Sequence, residues 1–182
     1  QSVFGTGDIT LPFNTVTSYS RFETIRAFLR CLNLAGTRLT VREVFDFLIC
    51  EPVRLKFGLG VSDIIKLEQQ LSEAGVRWGI DPEHKASFGR PEFQENTWQF
   101  GLDRLLIALA VQPGDRVLVE ETSPFGDVQT DNRDRLSRFV EFSQCLFDIV
   151  RAFSVPKTPH DWAEILRQIL HNLLSEDNLN YA

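Results

Sequence analysis

Apolar residues recur at intervals of three and four along most of this chain, a spacing that places them on one side of a helix each time. Phe22, Ile25, Leu29 and Leu32 follow a Ser20-x-x-Glu23 capping box, in which a hydroxyl and a carboxylate satisfy backbone N–H groups, and predict a helix over 21–34. Thr40-x-x-Glu43 repeats the device ahead of Val44, Phe47 and Leu48, and Pro52 disfavours helix at the residue before it, which gives a second helix near 41–50. A short helical turn is expected at 52–57. Ser62 is the expected N-cap of a helix that carries Ile64, Ile65, Leu67 and Leu71 to a terminating Gly75. Residues 76–95 read as a structured loop with one turn at 82–87.

Trp98, Leu102, Leu105, Leu106 and Leu109 then form a stripe facing a core, ended by Pro113 and Gly114. Leu136, Phe139, Val140, Leu146, Ile149 and Val150 predict a long helix over 132–153. Thr158, Pro159 and Asp161 open a final helix bearing Trp162, Ile165, Leu166, Ile169, Leu170 and Leu173. The expectation is an all-α fold of about six helices, with Val117–Val119 leaving room for one short strand pair but showing no evident partner. Residues 1–19, with Gly5, Gly7 and Pro12 and no period, read as an extended linker. Residues 20–182 form the helical domain. Its one candidate subdivision is at 111–130, where Pro113, Gly114, Pro124 and Gly126 cluster.

Composition changes this picture little. With 182 residues, 43% hydrophobic and 24% charged, the chain can bury a core without disulfides or metal. No run approaches the roughly eighteen apolar residues a membrane helix needs, and the start lacks the layout of a signal peptide. Cys31, Cys50 and Cys145 lie far apart, which favours a reducing compartment, hence the cytoplasm, over an oxidised scaffold. The net charge of −6 divides into +2 over residues 1–60 and −8 over 61–182, so phosphate backbones are not attracted along the whole length.

Catalytic constellations are missing from the sequence. No glycine-rich loop leads into Lys-Ser/Thr, since Gly58-Leu59-Gly60 and Gly5-Thr6-Gly7 read as turns. Asp115, Glu120 and Glu121 lack the lysine that a carboxylate–lysine nuclease places two residues on. Cys and His show no paired zinc spacing, Asp81-x-Glu83-His84 reads as a solvated helix start, and no G-x-S-x-G elbow occurs. No catalytic, cofactor or metal residue is therefore assigned.

Nucleic-acid contact keeps some support. Arg26 and Arg30 share a helix face, Arg133, Arg135 and Arg138 cluster, and an aromatic such as Trp78 can stack on bases. These six are the candidate DNA or partner contacts. Against them, Arg133–Arg138 interleave with Asp131, Asp134 and Glu141 as a solvated mixed-charge face does. Trp98 belongs to the apolar stripe and is read as core, whereas Trp78 stays open between a plug and a platform.

The least generic stretch is Val76-Arg77-Trp78-Gly79-Ile80-Asp81, then Phe88-Gly89-Arg90-Pro91, then Asn96-Thr97-Trp98-x-Phe100-Gly101-Leu102-x-Arg104-Leu105-Leu106. This order resembles RecC, the gamma subunit of exodeoxyribonuclease V, as do Arg38-x-Thr40-x-x-Glu43-Val44 and Leu11-Pro12-Phe13-Asn14. The resemblance covers about 11–110, with no aligned motif beyond about 115. It implies a fragment of a longer chain, which the absence of methionine also suggests. It further implies an accessory helical subdomain of a UvrD-like helicase fold without working ATPase motifs. RecB-like and RecD-like subunits would be its partners, holding ATP and Mg²⁺ themselves. DNA ends and unwound strands would be its substrate, with reading of the Chi sequence in the parent complex. No family catalytic residue maps onto these positions. The expected role is non-catalytic scaffolding and DNA guidance in double-strand-break repair. The competing readings are a free-standing helical protein–protein interaction module and a segment that itself binds DNA.

Overall fold

The computed structural model describes residues 15–110 and 133–175, with side chains from residue 22 to 108 in the first stretch. Its eight helices are α1 (Thr15–Leu34), α2 (Val41–Leu48), α3 (Glu51–Lys56), α4 (Val61–Glu73), α5 (Pro82–Ser87), α6 (Trp98–Ala110), α7 (Arg133–Phe153) and α8 (Pro159–Leu173). Among the described residues there is no sheet, only an isolated antiparallel bridge between Thr40 and Trp78. The fold is all-α. The two short helices α3 and α5 are the turns expected at 52–57 and 82–87.

Two of the three capping boxes form as the sequence predicts. The Thr40 hydroxyl accepts the Glu43 N–H while Glu43 accepts the Thr40 N–H, and Thr158 and Asp161 do the same at α8. The third does not mark a helix start. α1 begins at Thr15 and takes in residues 15–19, because Thr15–Tyr19 contains no glycine or proline to stop the helix propagating upstream of Ser20. The N-cap of α4 is Gly60 rather than Ser62, since the Asp63 carboxylate accepts the Gly60 N–H at 3.0 Å and fixes the helix start two residues earlier.

The core gathers around aromatic rings. Trp98 is fully buried, with Phe147 at 6.0 Å, Phe139 at 6.2 Å and Phe45 at 6.4 Å between ring centroids. Phe139 leads on to Phe142, which Phe57 meets edge-on at 5.4 Å. The α6 stripe is corrected at one position. Trp98, Leu102 and Leu105 are buried, but Leu106 is 42% exposed, because eight residues on from Trp98 the helix has turned about 80° away from the core-facing line.

α1 carries the larger correction. The face it buries is Thr24, Ala27, Cys31 and Leu34, and not the expected Phe22, Ile25 and Leu29, which are all more than half exposed. Burial pushes the Cys31 thiol up to about 12. All three cysteines are free. No helix among the described residues is long and apolar enough to cross a membrane. The strand-like run at 117–119 and the subdivision at 111–130 lie outside the described residues, as does the side chain of Leu109.

Candidate functional site

The segment from Val76 to Asp81 is stitched to two other parts of the chain by its backbone. Val41 donates its N–H to Arg77 O at 3.2 Å, and Gly79 donates to Arg38 O at 2.9 Å, which lays the segment against the turn before α2. On its other side Arg77 and Trp78 both donate to Asn96 O, Trp98 donates to Gly79 O and Gln99 to Ile80 O, which seats it on the start of α6. Thr97 caps that helix by accepting the Phe100 N–H at 3.1 Å. Arg104, nearly two turns into α6, donates to Ala74 O at the end of α4 at 2.8 Å. Close approach explains two glycines. A Cβ at Gly101 would sit 2.1 Å from Val76 Cγ2, and Gly79, at φ +81°, would put one 2.9 Å from Lys85 Cγ.

This stitching leaves an open pocket of about 370 Å³, lined by Arg38, Trp78, Lys85, Arg90, Phe93 and Glu95 among others. The Trp78 ring is flanked by two cations, with Arg38 Cζ 5.7 Å and Lys85 Nζ 5.5 Å from its centroid, and Phe88 meets its edge at 6.2 Å. Lys85 is buried and fixed, because its ammonium donates to the carbonyls of Phe93 and Glu95. Burial lowers its pKa, against which the Glu95 carboxylate acts. Arg38 and Arg90 are exposed, and Phe93 stands 65% exposed at the mouth. Three cations against one carboxylate make the lining positive on a chain whose net charge is −6.

Asp81 anchors the far side. Its carboxylate caps α5 by accepting the His84 N–H at 2.8 Å and receives Arg151 from α7 at 2.6 Å. Burial alone would raise the Asp81 carboxyl, but the Arg151 hydrogen bond, the His84 N–H and the neighbouring positive charge together hold it below its ordinary value. Burial lowers the His84 imidazole, with Arg151 adding to that and Asp81 opposing it, and His84 Nδ1 is buried without a hydrogen-bond partner among the described residues. Asp81 and Glu83 thus form a helix start as expected, but Asp81 is paired with Arg151 and mostly buried, not solvated. No group of His, Cys, Asp and Glu suited to a metal ion occurs among the described residues.

Of the six candidate contacts, only Trp78 lines the pocket. Arg26 pairs with Glu23 at 2.8 Å on α1. Arg30 donates to Asp46 O and Cys50 Sγ, joining α1 to the end of α2. Arg135 faces Asp63 of α4 at 3.7 Å, and Arg138 donates to Gly58 O at 2.6 Å. Arg133 is exposed at the start of α7. Arg30 and Arg135 thus join helices, and Arg138 ties α7 to the turn before α4. The pocket's other charged and aromatic residues, Arg38, Lys85, Arg90 and Phe93, were not among those candidates, although Arg38 and Arg90 stand inside the quoted motifs. The pocket sets aromatic faces beside one fixed ammonium and two exposed guanidinium groups, chemistry that suits a planar anionic group.

A family model described as RecBCD enzyme subunit RecC fourth domain matches residues 23–182. The chain is similar to the RecBCD enzyme subunit RecC of Mycolicibacterium smegmatis, 35% identical over 135 residues, which is 74% of this chain and 12% of that protein. It is 30% identical to that of Mycobacterium tuberculosis H37Rv over the same length and shares, and 29% identical to that of Escherichia coli K12 over 62% of this chain and 10% of that one. The chain thus spans about an eighth of the length of the mycobacterial relatives.

Proposed function

This chain belongs to the RecC family, and from that premise we propose that it serves as a non-catalytic helical segment of a RecC-type subunit in a RecBCD complex. In that role it scaffolds RecB-like and RecD-like partner subunits and guides DNA during double-strand-break repair and recombination, in the cytoplasm. The complex as a whole acts as exodeoxyribonuclease V, with ATP and Mg²⁺ held in the partner subunits. The reading that the segment touches DNA itself rests on the positive, aromatic-lined pocket at Trp78. Single strands are held by cations that track phosphates and rings on which bases stack, and this pocket offers both on an otherwise acidic chain.

The test replaces Arg38 and Arg90 with Ala in the assembled complex. Affinity for forked DNA should fall, and the dependence of binding on salt should become shallower by about one unit of slope for each phosphate that is no longer neutralised. Assembly should not change. Unaltered affinity and slope would remove the DNA-contact reading. A free-standing helical protein–protein interaction module is the second reading, favoured by the apolar face of α1 that the described residues leave exposed. A parent gene that ends shortly after this segment would support it over the first.

A further inference from the structure

α1 is apolar on two opposite faces, and the described fold covers only one. Thr24, Ala27, Cys31 and Leu34 are buried against the neighbouring helices, while Phe22, Ile25 and Leu29 project the other way at 58%, 57% and 52% exposure. Their spacing of three and then four puts them within about 60° of one another around the helix, so they form one stripe and not three scattered residues. A helix apolar all round is a buried helix, and a contiguous exposed stripe of large side chains marks an interaction surface.

The charge around the stripe argues against nucleic acid as its cover. Arg26 lies over the Phe22 ring but is paired with Glu23, and Arg30 is committed to Asp46 O and Cys50 Sγ. What remains outward is hydrocarbon, which calls for a protein surface of the same kind. The position of α1 names which one. The matched family model is a fourth domain, its match begins at residue 23 inside α1, and this chain spans about an eighth of its mycobacterial relatives. α1 is therefore the element that leads from whatever precedes this domain into it.

We infer that the Phe22–Ile25–Leu29 face of α1 is an internal seam, docked on the domain that precedes this one in the same RecC-type polypeptide. The inference rests on the proposed placement of this segment in such a subunit. On this view α1 belongs to two cores at once, and its outward face keeps the two domains in fixed orientation.

Photo-crosslinking in the full-length subunit tests it. Ile25→p-benzoylphenylalanine places the reactive ketone on the exposed stripe, where it leaves the packing of the buried face untouched. Irradiation of the isolated full-length subunit should join position 25 to a peptide of the domain that precedes this segment in the same chain, and a crosslink confined to residues 1–21 would count against the inference. Crosslinks to later parts of the chain, to a second copy or only to added partner subunits would overturn the inference, as would no crosslink at all. Co-elution of the same variant with its partner subunits, read before irradiation, reports separately on the broader proposal.

Discussion

Trp98 donates its indole N–H to the Leu39 carbonyl oxygen at 2.7 Å, joining the start of α6 to the turn before α2 across 59 residues of chain. Both residues are fully buried, and Leu39 holds a left-handed backbone at φ 53°. The bond therefore satisfies a carbonyl that water cannot reach, at a strained position that packing must maintain. Replacing Trp98 by Phe keeps most of the ring but orphans that carbonyl, and should cost about 1–3 kcal/mol. Trp98→Ala also empties the centre of the aromatic cluster and should cost about 3–5 kcal/mol. Urea unfolding of the two variants beside the wild type measures both steps. No loss in Trp98→Phe would show that the hydrogen bond contributes nothing of its own, and equal losses in the two would show that the ring packing adds nothing beyond it.

α6 packs closely against the loop that carries Trp78, where Gly101 faces Val76. Gly101→Ala would drive a Cβ into Val76 Cγ2, an overpacking that should cost about 1–3 kcal/mol. Val76→Ala in the same chain removes the clashing methyl groups, so the double variant should be more stable than the sum of the two single losses predicts. The coupling in a double-mutant cycle should be about 0.5–3 kcal/mol in favour of the pair. Strict additivity would mean that the helix shifts instead of clashing.

The pH dependence follows from two groups beside one another. The Asp81 carboxyl is held below its ordinary value, so its contribution is present above about pH 3.9, the unfolded value, and is lost as pH falls through the folded one. The His84 imidazole is also lowered. The unfolded chain then binds its proton first, and stability declines as pH drops below about 6.5. Thermal melting between neutral and acid pH should show both declines. His84→Gln should flatten the upper one, and Arg151→Ala should weaken the lower by removing the partner at 2.6 Å. Because both side chains keep contact with solvent, neither effect should dominate the total.

The helices were largely legible because their signals are local. Thr40 with Glu43 and Thr158 with Asp161 each put a cap and its partner within one turn, and both formed as read. Ser20 with Glu23 has the same spelling without the breaker that gives it meaning. α1 departs from expectation for a related reason: Phe22, Ile25 and Leu29 are periodic, but so are Ala27, Cys31 and Leu34 on the opposite side, and periodicity alone cannot say which face is covered. The pocket was illegible because Arg38, Trp78 and Lys85 meet through the bridge between Thr40 and Trp78, a pairing that no local spacing announces. Of the arginines chosen from the sequence, Arg30 and Arg135 reach a second helix and Arg138 a turn, contacts that no local spacing announces either.

Trp78 is either a plug or a platform, and substitution of its ring separates the two. It is half-buried, with Phe88 against its edge and Arg38 over its ring on a side chain that is itself exposed. A guanidinium resting on a ring in an open pocket can be displaced by a base, whereas the buried Lys85 is fastened by the carbonyls of Phe93 and Glu95 and cannot leave. Trp78→Leu keeps apolar bulk at the site but removes the stacking face, and should weaken single-strand binding by about 1–3 kcal/mol, the usual worth of one stacked base. Trp78→Phe, with a smaller ring, should fall between the two. Fluorescence anisotropy with a labelled oligonucleotide reads the affinities, and melting of the same samples reads the fold. If Leu lowers the melting temperature while the affinity of the folded protein stays constant, Trp78 is a plug and the strand is held elsewhere.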